Sequence, residues 1–220
     1  MRIIAKFMRV FFDLFYHSFA WTYDGVAALV SVGRWRAWTE TCIPYLQGPR
    51  VLEIGHGPGH LQCQLAGRFD FVAGLDESPQ MGRLARARLL RGGIHRLNLA
   101  RGLAQALPYA SARFDSVVST FPSDYIYAEP TVRGVYRVLQ DGGVFLILPA
   151  AWIIGRRSLD RAAAWLFRIT GESPTEISSL ISQKTIAPLE RAGFEVEVKQ
   201  VELRSSLVLI LVARKASPGG

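Results

Sequence analysis

The chemistry in this sequence begins with an acid followed by three alternate glycines, Val51-Leu52-Glu53-Ile54-Gly55-His56-Gly57-Pro58-Gly59. Glycine is needed where a backbone takes positive φ or comes close to a ligand, and a helix starting after Gly59 offers unpaired N–H groups. A dinucleotide loop would space its glycines Gly-x-Gly-x-x-Gly around a pyrophosphate, but here the third such position is His60. Glu53 also sits badly with a pyrophosphate and suits a ligand with a cationic group. His56, inside the loop, is expected to shape it rather than to react. Twenty-three residues after Glu53, Asp76 closes a second apolar run. A carboxylate there can accept two hydrogen bonds at once, or cap the turn before Ser78-Pro79.

Two further groups of residues carry chemistry. Phe121 and Tyr125, in Ser119-Thr120-Phe121-Pro122-Ser123-Asp124-Tyr125, offer aromatic faces to a cationic nitrogen or serve as packing. Near the amino terminus His17 lies between Tyr16 and Tyr23. A histidine of near-neutral pKa can take a proton from a hydroxyl or an ammonium.

These residues need a scaffold, and the chain supplies one from about residue 50. Short apolar runs alternate with helical patterns, the signature of βαβ units around a parallel sheet. Strands are expected at Arg50–Ile54, Phe71–Leu75, Ile94–Ala100, Phe114–Ser119 and Val144–Leu148. Helices are expected at Leu61–Arg68, Ser78–Arg91 (capped by Ser78, with Pro79 first), Thr131–Leu139 and Ile177–Ala192. Residues 151–172 read as a helical insertion. Phe194–Val201 and Ser206–Ala213 close the chain as a hairpin, adding an antiparallel strand to an otherwise parallel sheet. The expectation is an α/β, Rossmann-like, doubly wound sheet of seven strands, with amphipathic lid helices over 1–48 and the main domain over 49–220.

Half the residues are apolar and a fifth charged, with a formal charge of +8. That is a folded chain with a bias toward anionic partners. Cys42 and Cys63 are too few for a disulfide framework, and Cys63 is expected as a small core residue in a reduced, intracellular protein. Lys6, Arg9, Asp13, His17 and Asp24 interrupt every run of residues 1–32 long enough to span a bilayer, and no clean signal peptide is present. Arg2, Lys6, Arg9, Asp13 and Tyr16 fall on one helical stripe beside a broad apolar face, which suits an interfacial position on a membrane or docking on the sheet. Trp152–Ile169 repeats that pattern with Arg156, Arg157, Arg161 and Arg168. A peripheral position at the cytoplasmic membrane face follows as the expected location.

The segment from Glu53 to Gly59 resembles motif I of the class I S-adenosylmethionine (SAM)-dependent methyltransferases, and the resemblance continues in order over residues 50–215. It implies that Glu53, Gly55, His56, Gly57 and Gly59 hold the amino-acid half of SAM and that Asp76 holds the ribose hydroxyls. It also implies cofactor contacts from Glu77, Met81, Thr120 and Phe121. Arg101-Gly102-Leu103-Ala104-Gln105-Ala106-Leu107-Pro108-Tyr109 resembles the family segment before the fourth strand, with one departure. The acidic residue that usually meets the adenine amino group is Leu103 here, leaving adenine to the backbone near Leu103-Ala104 with help from Gln105. Tyr16 to Asp24 resembles the aromatic lid of quinone-pathway and phosphatidylethanolamine methyltransferases.

The resemblance implies methyl transfer from SAM to a small lipophilic or membrane-lipid acceptor, with no metal. Tyr16, His17, Tyr23 and Tyr125 would be on the reacting side. An RNA methyltransferase using the Arg83–Arg101 run is the first rival, and a non-catalytic SAM-binding protein the second. An NAD-dependent oxidoreductase is more distant, because the glycine spacing is wrong for it.

Overall fold

The computed structural model describes residues 33–154 and 185–217. A short helix α1 (Trp35–Glu40) and a 3-10 turn (Ile43–Tyr45) lead into β1 (Arg50–Ile54). Then come α2 (His60–Ala66), β2 (Phe71–Asp76), α3 (Pro79–Arg91), β3 (Leu99–Arg101), β4 (Phe114–Thr120), α4 (Glu129–Val138) and β5 (Leu139–Ile153). The chain ends with α5 (Ala187–Arg191), β6 (Phe194–Leu203) and β7 (Ser206–Lys215). The seven strands form one sheet in the order β3-β2-β1-β4-β5-β7-β6. Strands β1 to β5 pair in parallel, whereas β7 runs antiparallel to both β5 and β6.

The near-continuous apolar runs of β1, β4, β5 and β7 follow from burial on both faces of the sheet. Leu52, Ile54, Val117, Phe145, Ile147 and Leu211 face one core with Val132 and Val135 of α4. Their alternating neighbours, including Val51, Val118, Leu146 and Ile210, face the other with Leu61 and Leu65 of α2. Trp38, Cys42 and Ile43 are buried in that second core, so the described end of the amino-terminal segment packs on the sheet itself.

Several elements differ from the sequence reading, each for a local reason. Strand β5 begins at Leu139 and runs to Ile153. The Gln140–Gly143 stretch lies in a break in pairing with β4, where Phe114 faces Leu139 and Ser116 faces Val144. The expected helix over 151–172 does not begin at 151. Ala151, Trp152 and Ile153 pair with Val208, Leu207 and Ser206 of β7 and are buried. The pairing with β7 is irregular between Ile147 and Ala150, around Pro149, which has no N–H to donate to a ladder. The basic aromatic run beyond 154 lies outside the described residues, as do Tyr16, His17 and Tyr23. Strand β3 is only three residues long, because the Gly92-Gly93 pair and the polar run after it precede any pairing. Helix α2 ends at Ala66, before Gly67 and Arg68. Cys63 is half-buried, and Cys42 is the cysteine that enters the core.

Candidate active site

The glycine loop hangs from the end of β1 between β2 and β4. Gly55 N–H donates to the Leu75 carbonyl at 2.7 Å, tying the loop to β2. Gly55 has φ +71°, and a Cβ there would stand 2.5 Å from the Tyr125 hydroxyl. Gly59 is the left-handed N-cap of α2, and a Cβ there would stand 2.8 Å from that of Ala85 on α3. Alternate glycines thus serve two purposes: Gly55 admits an aromatic side chain over the loop, and Gly59 lets two helices pack closely. The Pro58 carbonyl accepts from Arg88 of α3, a second tie between loop and helix.

Glu53 is 2 % exposed at the end of β1. Its Oε2 accepts from the Gln62 side-chain amide at 2.8 Å, and the same amide donates to the Ala73 carbonyl at 3.2 Å. Burial pushes the Glu53 carboxyl up to about 8; the Gln62 hydrogen bond opposes the rise and the Asp76 charge adds to it. Desolvation dominates because a buried carboxylate loses its water and gains only one side-chain partner among the described residues. Glu53 lines a cleft of about 310 Å³, measured to its open mouth, together with Trp35, Thr39, Gly55, His56, Gly57, His60 and Thr120. A carboxylate half-satisfied at the bottom of an open cleft fits a cationic ligand group such as the SAM ammonium.

Asp76 is also buried. Its Oδ2 accepts from Gly57 N–H at 2.8 Å and its Oδ1 from Ser78 N–H at 2.9 Å, so one carboxylate braces the glycine loop and the start of α3 together. Each oxygen can accept more than one hydrogen bond, so bracing is compatible with contact to ribose hydroxyls. His56 is buried beside it. Its Nδ1 lies 2.7 Å from the Gly57 carbonyl, which makes Nδ1 the protonated nitrogen, since a carbonyl only accepts. Burial lowers its pKa against the opposing pull of Asp76, which keeps the ring neutral and in its loop-shaping role. Room for it comes from Gly74, where a Cβ would stand 2.9 Å from the His56 ring and 2.8 Å from Leu99.

Thr120 and Phe121 follow β4 on the other side of the cleft. Phe121 has φ +50°, an unusual conformation for a bulky residue and one that clusters at functional sites. Its ring stacks on Trp35 with centroids 4.2 Å apart and meets Trp38 at 6.1 Å. Tyr125 reaches back over the glycine loop, and Ser119 beneath it donates to the Ile54 carbonyl at 2.8 Å. Burial pushes the Tyr125 phenol up to about 12, with a hydrogen bond to Ser119 opposing; it is therefore a neutral hydroxyl rather than a base.

The remaining candidates are spread around this cleft. Glu77 is exposed, and its carbonyl accepts from Arg101 at 3.0 Å. Met81 is fully buried under α3. Ala104 is buried, Gln105 is exposed, and Leu103 is 53 % exposed with its side chain outside the core. Trp35, Thr39 and Gln62 were not singled out from the sequence. Gln62 had a signal, being a polar residue beside Leu61 and Leu65 on the buried face of α2. Trp35 and Thr39 lie in a segment with no motif, and only tertiary packing brings them to the loop. Among the described residues no cluster of His, Cys, Asp and Glu is arranged to hold a metal.

The sheet order, the glycine cleft and the two buried acids match the fold of the SAM-dependent methyltransferases. A family model described as a methyltransferase domain matches residues 51–143. An uncharacterized methyltransferase of Synechocystis sp. is 28% identical over 217 residues, covering 92% of this chain and 96% of that protein. The ubiquinone/menaquinone biosynthesis C-methyltransferase UbiE of Edwardsiella ictaluri is 32% identical over 145 residues. That match covers 60% of this chain and 56% of the relative, so it spans little more than half of that enzyme. The crystal structure of a candidate SAM-dependent methyltransferase from Methanococcus maripaludis superimposes with a TM-score of 0.64 at 19% identity, covering 91% of this chain and 93% of that one. The chain carries a methyltransferase domain on the fold of the SAM-dependent methyltransferases.

Proposed function

We propose that the protein transfers the methyl group of SAM to a small lipophilic acceptor, a membrane-lipid amine or a quinone-like ring. The observation that carries this reading is the aromatic wall of the cleft. Trp35 and Phe121 stack beside Thr120 and the glycine loop, giving an apolar surface where an acceptor must approach. Similarity to a quinone-pathway methyltransferase over residues of the same domain supports it.

Bound SAM supplies a methyl group on a positively charged sulfur. The chain's part is to bind and align. Glu53, ionised on meeting a cation, holds the ammonium, with Gln62 fixing its carboxylate. Asp76 takes the ribose while keeping Gly57 and Ser78 in place, and the backbone near Leu103–Gln105 walls the adenine. Tyr125 covers Gly55 and narrows the mouth. Such alignment of nucleophile, methyl and leaving sulfur accounts for most of the rate in a displacement of this kind. His17, with Tyr16 and Tyr23, is assigned to the substrate side, where it would accept a proton from the nucleophile.

The test is transfer of labelled methyl from SAM into a total lipid extract, partitioned between organic and aqueous phases. Label in the organic phase that disappears in Asp76→Ala supports the reading. Label confined to water-soluble products or RNA, with SAM still bound, overturns the lipophilic acceptor.

A further inference from the structure

The segment from Pro79 to Arg101 contains six arginines and no aspartate or glutamate. Helix α3 sorts them by face. Met81, Ala85 and Leu89 are buried against the sheet, and Arg88 is engaged with the glycine loop. The opposite face carries Arg83, Arg86, Ala87, Leu90 and Arg91, all exposed. At 100° per residue these five lie within about 140° of one another, with Leu90 between Arg83 and Arg86. No ion pair with a carboxylate holds Arg83, Arg86 or Arg91 among the described residues. Exposed Arg96 and Arg101 extend the positive surface toward β3. Beneath it a niche of about 730 Å³, measured to its open mouth, is lined by Arg83, Arg86 and Arg101 with Leu97 and Leu99, and reaches His56, Asp76 and Ser78 of the site described above.

We infer that this face of α3 is the surface by which the protein docks on an anionic lipid bilayer. Three guanidiniums that make no ion pair with a carboxylate among the described residues surround Leu90, which is 39% exposed although apolar. Arginine forks match phosphate oxygens, and a leucine among them gains by entering the headgroup region. Leu103, another exposed apolar side chain, follows Arg101 by two residues. Single-stranded nucleic acid is the other phosphate-rich partner, and its sites interleave basic residues with stacking aromatics. From Pro79 to Leu103 there is no Phe, Tyr or Trp. The bilayer is therefore the occupant the side chains favour. The inference rests on the lipophilic acceptor proposed above in that docking would bring the cleft to the phase where such an acceptor resides.

The experiment is co-sedimentation of the full chain with phosphatidylcholine vesicles, with and without about a third phosphatidylglycerol, at low and raised salt. Arg83→Gln/Arg86→Gln/Arg91→Gln is compared with the native chain and with Arg2→Gln/Lys6→Gln/Arg9→Gln in the amino-terminal stripe. The expected result is binding to anionic vesicles only, weakened by salt. The α3 variant should lose roughly a hundredfold in partitioning, from three basic residues removed at a charged surface. Its circular dichroism should stay unchanged, because all three side chains are exposed on α3. Equal partitioning of native chain and α3 variant, or loss only in the amino-terminal variant, overturns the inference. So does retention of an RNA oligonucleotide with no vesicle binding. Vesicle binding requires no turnover, so the inference can fail while methyl transfer to a detergent-dispersed acceptor persists, and the reverse.

Discussion

Replacing Glu53 by glutamine should make the cofactor-free protein more stable and cripple its hold on SAM. Glu53 is fully buried, and its carboxyl titrates near 8 instead of the ordinary 4.5. Its raised folded-state value favours the native state fully below pH 4.5, and that advantage is lost as pH rises through 8. Above that, folding carries a buried carboxylate with a single side-chain partner. The difference spans a few pH units at about 1.4 kcal/mol each, so the penalty above pH 8 is on the order of 5 kcal/mol, less whatever water in the cleft returns. Glutamine keeps an oxygen for the Gln62 amide and carries no charge. The variant should therefore melt higher at pH 9, by roughly 10 °C for a chain of this size, and equal the native protein near pH 4. Its SAM affinity should fall thirtyfold or more, the cost of removing one partner of a buried charge pair. Thermal unfolding across pH, with calorimetric titration of SAM at each point, reads both effects. A variant no more stable than native at pH 9, or one that binds SAM as tightly, would refute the reasoning.

Other perturbations follow from the same geometry. In the native protein SAM affinity should tighten as pH rises toward about 8 and Glu53 ionises, then weaken as the ligand ammonium loses its own proton; affinity that is flat with pH would place the ammonium elsewhere. Gly55→Ala should weaken SAM binding and cost about 1–3 kcal/mol, from a strained φ and the clash with Tyr125. Tyr125→Phe, which removes the clashing oxygen, should restore part of that in the double variant, as denaturant unfolding of the cycle would show. Gln62→Leu should push the Glu53 transition to still higher pH, seen as an alkaline shift in the pH dependence of SAM binding. Phe121→Ala should lower turnover with a hydrophobic acceptor more than it lowers SAM affinity, measured as separate KM values for the two substrates.

Much of the scaffold was readable because its signals are local. Glycine spacing, a strand-end acid and the Ser78-Pro79 cap specify β1, the loop, Asp76 and α3 without knowledge of the rest. The same features led to Glu53 and Asp76, which the fold brings to one loop through Gln62 and the Gly57 N–H. What was hidden depends on distant partners. Strand β5 extends to Ile153 because β7 stands beside it, and nothing within Ala150–Ile153 distinguishes that strand from a helix start. Trp35 and Thr39 reach the cleft only through packing of α1 on the sheet. Phe121 left packing and function equally open, and in the structure it packs, stacking on Trp35 while its backbone turns with positive φ beside Thr120.

The most direct test of the site is a crystal structure of the full chain with S-adenosylhomocysteine. The expected result places the ligand ammonium against Glu53 in the cleft under Tyr125 and the ribose hydroxyls on Asp76. A ligand whose ammonium lies away from Glu53 and whose ribose makes no contact with Asp76 would contradict it.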